Sequence, residues 1–210
     1  MAKTSPFENN IDRYEAWFEN HASAYKSEIA AIRQVIPESK RGIEIGVGTG
    51  KFAGPFNIQF GVEPCLTAGI IAREKGINVC AGTGEALPVK SDFFDYALMV
   101  TTICFLDDIE KSFKEVKRIL KQRGVFILGF VDLNTDLGRE YEKFKEQNPF
   151  YRIATFYSTE QIINILNKTG FEVKRTLQTI FHHPDRMTEI EPFKDGSGKG
   201  AFVVISAEKR

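Results

Sequence analysis

Three glycines in alternation constrain this chain more than any other feature. They lie in "EIGVGTG", residues 44–50, directly after the short apolar run "GIEIG". Glycine costs conformational entropy wherever it is fixed, so three in five positions mark a backbone that must turn sharply and lie close to something. A loop of this kind at the end of a first strand, with side chains excluded at 46, 48 and 50, implies a ligand against the backbone.

The surrounding pattern supplies the strand. Apolar stretches at 42–46, 57–64, 77–82, 94–100 and 125–131 alternate with helical segments at 65–76 and 107–124. Alternation of this sort specifies an α/β fold, a doubly wound and mostly parallel sheet with helices on both faces. Such sheets take ligands at the carboxyl ends of their strands. Upstream, Ile11, Tyr14, Trp17, Phe18, Ala22, Tyr25, Ile29, Ile32 and Ile36 fall at steps of three and four, which predicts one amphipathic helix or two in sequence, stopped by Pro37. Downstream, helices are expected at 137–147 and at 158–170, the latter with a Ser158/Gln161 capping box and Gly170 as its stop; strands are expected at 171–181 and 201–208. The stretch between those strands is too long for a tight hairpin.

Composition narrows the partners. Lys+Arg and Asp+Glu are both 28, a formal net charge of zero, which gives no general electrostatic footprint for nucleic acid or an acidic membrane. No apolar run reaches the ~20 residues of a spanning helix. The N-terminal "MAKTSPFENN" lacks a signal-peptide core, so a cytoplasmic protein is expected. Cys65, Cys80 and Cys104 form no CxxC pair and show no metal spacing; no metal site is expected.

The loop also excludes ligands. A P-loop would need glycine at 45 and a hydroxyl at 52, where Ile45 and Phe52 stand. A GxGxxG dinucleotide fingerprint has its third glycine one residue later, and Glu44 disfavours a pyrophosphate. Glu63 ends the second strand seventeen residues after Gly46, where an acid can accept from both hydroxyls of a ribose. A nucleoside without a phosphate chain fits.

The ordered set "EIGVGTG", "GVEP", "GTGEALPVKSDFFDYALMVTT", "FLDDIEKSFKEVKRILKQRG" and "YSTEQIINILNKTGF" resembles the class I S-adenosylmethionine-dependent methyltransferases, in the branch related to ubiquinone and menaquinone methyltransferases. The resemblance covers roughly residues 40–175, and "YEAWFENHASAYKSEI" is similar to that branch's N-terminal helices. It implies a seven-stranded Rossmann-like sheet, with residues 1–36 as a helical cap or lid and 37–210 as the cofactor-binding domain, in which 132–157 forms a substrate-side insertion. It implies S-adenosylmethionine as cofactor, S-adenosylhomocysteine as product, and a small-molecule methyl acceptor. Residue by residue it places Glu44, Gly46, Gly48 and Gly50 beside the methionine part and Glu63 on the ribose. Thr83, where the family usually has aspartate, falls with Gly84 and Glu85 at the adenine, and Thr101 and Thr102 at the methionine end. Tyr14 and Trp17 would close over the cofactor; Phe150, Tyr151 and Arg152 would meet the acceptor. Cys104 and Phe105 stand where many relatives carry histidines; with the missing aspartate at Thr83 this leaves a non-catalytic cofactor-binding protein as one alternative, and a nicotinamide-dependent oxidoreductase is another, against which the glycine spacing and Glu44 argue. No catalytic base is assigned. His182 and His183, in the long loop, are candidates for one, and His21 is expected to be structural.

Overall fold

The computed structural model describes residues 3–38 and 40–210. One sheet organises it, built from β1 (Gly42–Ile45), β2 (Phe60–Glu63), β3 (Asn78–Ala81), β4 (Phe94–Val100), β5 (Leu120–Val131), β6 (Phe171–Thr179), β7 (Lys194–Asp195) and β8 (Phe202–Lys209). The spatial order is β3-β2-β1-β4-β5-β8-β6-β7. The first five strands pair in parallel, and β8, β6 and β7 join antiparallel to their neighbours. The expected seven strands are all present; the eighth is a two-residue edge contributed by the long loop after β6.

Helices cover both faces: α1 (Ser5–Asn9), α2 (Ile11–Asn20), α3 (Ala22–Arg33), α4 (Leu66–Glu74), α5 (Ile109–Ile119), α6 (Asp136–Lys143) and α7 (Thr159–Thr169). The strand pleat sends alternate residues to opposite layers. Ala97 and Met99 of β4, with Phe126 and Leu128 of β5, pack against Phe113, Val116 and Ile119 of α5 and Ile162 and Leu166 of α7. Tyr96, Leu98 and Ile127 point the other way, towards Ala31 and Ile32 of α3 and Ala72 of α4. Both faces are therefore apolar, which is why the central strands read as continuous hydrophobic runs.

Sequence signals and elements agree where local chemistry dominates. Ser158 accepts from Gln161 N–H at 3.3 Å while the Gln161 side chain accepts from Ser158 N–H at 2.8 Å. Gly170 closes α7 at φ 87°, and Asp108 caps α5 through Lys111 N–H at 2.9 Å. Boundaries differ where backbone outliers intervene. Asn57, at φ 53°, delays β2 to Phe60. Helix α5 stops at Ile119 rather than Gly124; residues 121–124 bulge out of the β4–β5 ladder, with Arg123 at φ 61°. Ile180, at φ 62°, ends β6. The N-terminal periodicity resolves into α2 and α3, broken at His21, whose φ of −118° and ψ of 42° are not helical.

Asp132, 2% exposed, anchors the segment that leaves β5. One carboxylate oxygen accepts from Asn134 N–H at 2.9 Å and Thr159 N–H at 3.3 Å, and the other accepts from the Thr159 hydroxyl at 2.7 Å. The two ends of the 132–157 segment are thus tied to one side chain. Replacing Asp132 by Ala leaves the Thr159 hydroxyl and two N–H groups without an acceptor. We expect a loss of roughly 2–4 kcal/mol in urea unfolding, and a smaller loss for Asp132→Asn, which keeps an acceptor oxygen.

Candidate cofactor and acceptor site

A cavity of about 450 Å³ opens over the carboxyl ends of the parallel strands. Ile45, Val62, Val100 and Phe130 form its floor at the ends of β1, β2, β4 and β5. The doubly wound sheet leaves such a crevice where strand order reverses, here between β1 and β4.

One end is built from loops. Gly46 and Gly48 lie on the wall at φ 71° and 54°, a region that disfavours side chains. Glu63 lies beside them. Its carboxylate accepts from Gly48 N–H at 2.8 Å and from Cys65 N–H at 2.9 Å. Burial pushes its pKa up, and those two N–H bonds restrain the rise. Two bonds leave a carboxylate with further lone pairs for hydroxyl donors. Thr83, Gly84 and Glu85 continue the wall, with Glu85 accepting from Asp107 N–H at 2.8 Å. Thr101, at φ 50°, donates its N–H to Gly129 at 2.7 Å, and the Thr102 hydroxyl donates to Val100 at 3.0 Å; both residues line the cavity. Gly46, Gly48, Glu63, Thr83, Gly84, Glu85, Thr101 and Thr102 are therefore brought together around one space.

Two residues expected here stand elsewhere. Glu44, 1% exposed, lies off the cavity wall. Burial raises its pKa well above the ordinary range, the Ala53 N–H bond works against that, and one carboxyl oxygen has no hydrogen-bond partner. Gly50 is also off the wall: a Cβ there would come within 2.5 Å of Ile77 Cδ1, so its role is close packing. The other two glycines are hemmed by the protein itself. A Cβ at Gly46 would meet the Thr102 side chain at 2.5 Å, and one at Gly48 the Tyr14 hydroxyl at 2.9 Å.

The other end is aromatic. Tyr14 and Trp17 of α2 line the cavity together with Phe150 and Tyr151. Arg152 does not reach it. Phe7, Tyr141, Phe156 and Glu28, which sequence reasoning passed over, complete this end together with Phe105 and His21. Phe7 lies 5.0 Å from Phe105 and 5.1 Å from Phe150, ring to ring, so α1 meets the 132–157 segment across the mouth. Trp17 stacks on His21 at 5.0 Å, and Tyr141 faces Tyr151 at 4.7 Å. His182 and His183 lie off the wall: His182 Nδ1 is 2.5 Å from Glu191, and His183 faces Asp185 and Glu140.

Polar bonds seat the N-terminal helices on the glycine loop. Glu15 accepts from the Thr49 hydroxyl and pairs with Lys51 at 2.8 Å, and the Tyr25 hydroxyl donates to the Lys51 carbonyl. Glu8 accepts from Leu66 N–H at 2.8 Å and from the Thr67 hydroxyl at the start of α4; the Thr67 bond holds its carboxyl below the usual range.

The family model for the methyltransferase domain matches residues 43–128, the span from β1 to β5. An S-adenosylmethionine-dependent methyltransferase of Thermotoga maritima, described as a possible histamine N-methyltransferase, is 51% identical, with 99% of each chain covered and a TM-score of 0.96. An uncharacterized protein of Methanocaldococcus jannaschii is 42% identical over 97% of this chain and 98% of its own. The magnesium protoporphyrin IX methyltransferase of Synechocystis, solved with bound S-adenosylhomocysteine, shares the fold at a TM-score of 0.70 and 12% identity, over 99% of this chain and 98% of that one.

Glu28 gives the site a measurable signature. It is 4% exposed, and burial alone pushes its pKa from 4.5 to about 8. An acid whose folded pKa is raised stabilises the fold below its unfolded pKa, and that stability is lost as pH rises through the folded value. Between pH ~4.5 and ~8 the protein should lose roughly 3–5 kcal/mol more than its Glu28→Gln variant, which has no proton to release there. Urea unfolding at a series of pH values checks this; parallel profiles for the two proteins would contradict it.

Proposed function

The chain belongs to the S-adenosylmethionine-dependent methyltransferases, and from that premise we propose that it methylates a small molecule by direct displacement, inside a cavity closed by its own N-terminal helices. The observation that carries the proposal is the continuity of the cavity. Loops after β1, β2 and β4 form one end, and aromatic side chains from α1, α2 and the 132–157 segment form the other. An acceptor sharing that space with a nucleoside must be small. No helix among the described residues is long and apolar enough to cross a membrane.

The residues present fit the cofactor. Glu63 retains lone pairs for two ribose hydroxyls, and the backbone at Gly46 and Gly48 leaves room for a close approach. Thr83, with Gly84 and Glu85, would flank the base; Thr101 and Thr102 would flank the methionine end. Tyr14 and Trp17 would cover the sulfur and offer ring faces to a cation. When bound, S-adenosylmethionine supplies an electrophilic methyl group on a sulfonium. The chain then has to align the acceptor, exclude water and stay out of the chemistry as a nucleophile. Its thiols meet that last condition. Cys104 and Cys65 lie on the wall, but burial pushes their pKa values up to about 12 and about 11, so both remain neutral at pH 7. Methyl transfer through an enzyme thioether is accordingly disfavoured.

Calorimetry tests the cofactor assignment. S-adenosylhomocysteine should bind and NAD should not. Glu63→Ala should weaken binding about ten- to a hundredfold, through lost hydroxyl bonds and through the freed Gly48 and Cys65 N–H groups. NAD binding without binding of the sulfur ligand would overturn the assignment. Hydrogen exchange tests the lid: residues 10–30 should gain protection when S-adenosylhomocysteine is added, and unchanged exchange there would reduce α2 and α3 to a fixed cover. Labelled S-adenosylmethionine offered with cell extract should label the metabolite fraction; label confined to protein or RNA would overturn the small acceptor.

A further inference from the structure

Glu28 sits on α3 with its side chain in the cavity wall, 4% exposed. Among the described residues its carboxylate has no hydrogen bond and no ion pair. The polar neighbours on the same helix have structural partners. Ser27 donates to the Ser23 carbonyl at 2.8 Å and accepts from Glu191 N–H at 2.9 Å. Tyr25 is bonded to the Lys51 carbonyl. Elsewhere on the wall, Glu63 and Glu85 accept backbone N–H bonds. Glu28 accepts none, so the fold gains nothing from its charge and bears the cost of burying it.

The groups facing Glu28 do not neutralise it. They are the phenols of Tyr25 on α3, Tyr141 on α6 and Tyr151 of the 132–157 segment, each held above its ordinary pKa by burial and therefore neutral at pH 7. His21, on the same side of the cavity, is engaged at both nitrogens, by the Trp17 carbonyl at 3.0 Å and by Asp185 at 2.8 Å. A buried carboxylate with no internal partner, with Tyr141 and Tyr151 beside it in an aromatic cavity, is suited to a ligand that brings its own positive charge on an aromatic or apolar frame.

We propose that Glu28 is the specificity-determining residue of the acceptor end, and that its carboxylate receives the protonated amine of a small aromatic amine, which anchors that molecule while a separate, unprotonated heteroatom of it supplies the lone pair that takes the methyl. This rests on the reading that the aromatic end of the cavity holds the acceptor. It also predicts a proton count. With its pKa pushed up to about 8, Glu28 holds a proton at pH 7, and a cation that pairs with it must expel that proton.

The test uses the full chain saturated with S-adenosylhomocysteine. Phenethylamine, benzylamine and histamine are each titrated against the counterpart in which a hydroxyl replaces the primary amine. Calorimetry at pH 7 in buffers of different ionisation enthalpy gives affinity and proton release together; Trp17, the chain's only tryptophan, gives a second readout by fluorescence. At least one amine should bind about tenfold more tightly than its hydroxyl counterpart and release close to one proton. In Glu28→Gln that preference should fall to within about twofold and the proton release should vanish, with S-adenosylhomocysteine affinity unchanged. Proton release in the unmodified protein keeps the idea falsifiable even if the variant folds poorly. Amine preference that survives Glu28→Gln, or no amine preference in the unmodified protein while S-adenosylhomocysteine binds, would overturn the role of Glu28 alone. Failure of S-adenosylhomocysteine to bind the unmodified protein would instead overturn the reading beneath it.

Discussion

The carboxylate of Glu63 holds the two loops that make the site possible. One oxygen accepts from Gly48 in the loop after β1, the other from Cys65 in the loop after β2. The pairing of β1 with β2 ends at Ile45 and Val62, Gly46 and Val47 both donate to the Val62 carbonyl at 2.8 and 3.2 Å, and something beyond these bonds has to set how far Gly48 sits from Cys65. A charged acceptor bonded to two backbone donors does so, and charge-assisted bonds of this kind are about twice as strong as neutral ones. Ile43, Ile45 and Val62 then bury beneath the loops, and the glycine backbone is presented to the cavity.

The N-terminal helices build outward from the same loop. Glu15 reaches Thr49 and Lys51, and burial works against its charge, yet the Lys51 and Thr49 bonds prevail and hold its carboxyl below the usual range. Lys75 adds a bond to the Thr49 carbonyl at 2.8 Å, which ties the end of α4 to the loop. These contacts are polar and lie near solvent, whereas the contacts across the mouth are between rings, edge-on for Phe7–Phe105 and tilted for Phe7–Phe150. Apolar rings can part and re-pack without stranding a buried donor.

Much of this was legible in the sequence because local chemistry determines it. The glycine alternation, the Ser158 capping box, the Gly170 stop and the continuous apolar strands each follow from residues close in the chain, and each is present. What the sequence hid depends on direction. Glu44 and Gly50 belong to the loop motif, yet neither lines the cavity: Glu44 is buried in β1, and a Cβ at Gly50 would meet Ile77. Tyr151 and Arg152 lie on a one-turn helix, Tyr151–Ile153, with Phe150 at its N-cap; adjacent positions diverge there, and only Phe150 and Tyr151 reach the wall. Glu28 did leave a signal. It falls three residues after Tyr25 and four before Ile32, on the apolar stripe of α3, where a charged residue contradicts the helical pattern. Violations of that kind are where functional sites are expected. His21, expected to be structural, also stacks on Trp17 inside the cavity.

The two acids at opposite ends of the cavity show how burial selects ligands. Both are largely withdrawn from water, and in both desolvation raises the pKa. Glu63 has backbone N–H partners before any ligand arrives, so its remaining lone pairs suit neutral hydroxyls, which add bonds without a further charge to solvate. Glu28 has no such partner, so a neutral donor would leave its charge uncompensated and the residue would keep its proton instead. At pH 7, below its raised pKa of about 8, a paired cation is what would favour ionisation of Glu28. The fixed, backbone-bonded acid belongs to the end formed by the sheet loops, and the unpartnered acid to the end formed by helices and the 132–157 segment. On the proposed roles, the loops would determine which cofactor fits, and the helices would tune acceptor preference through a single side chain without disturbing the sheet.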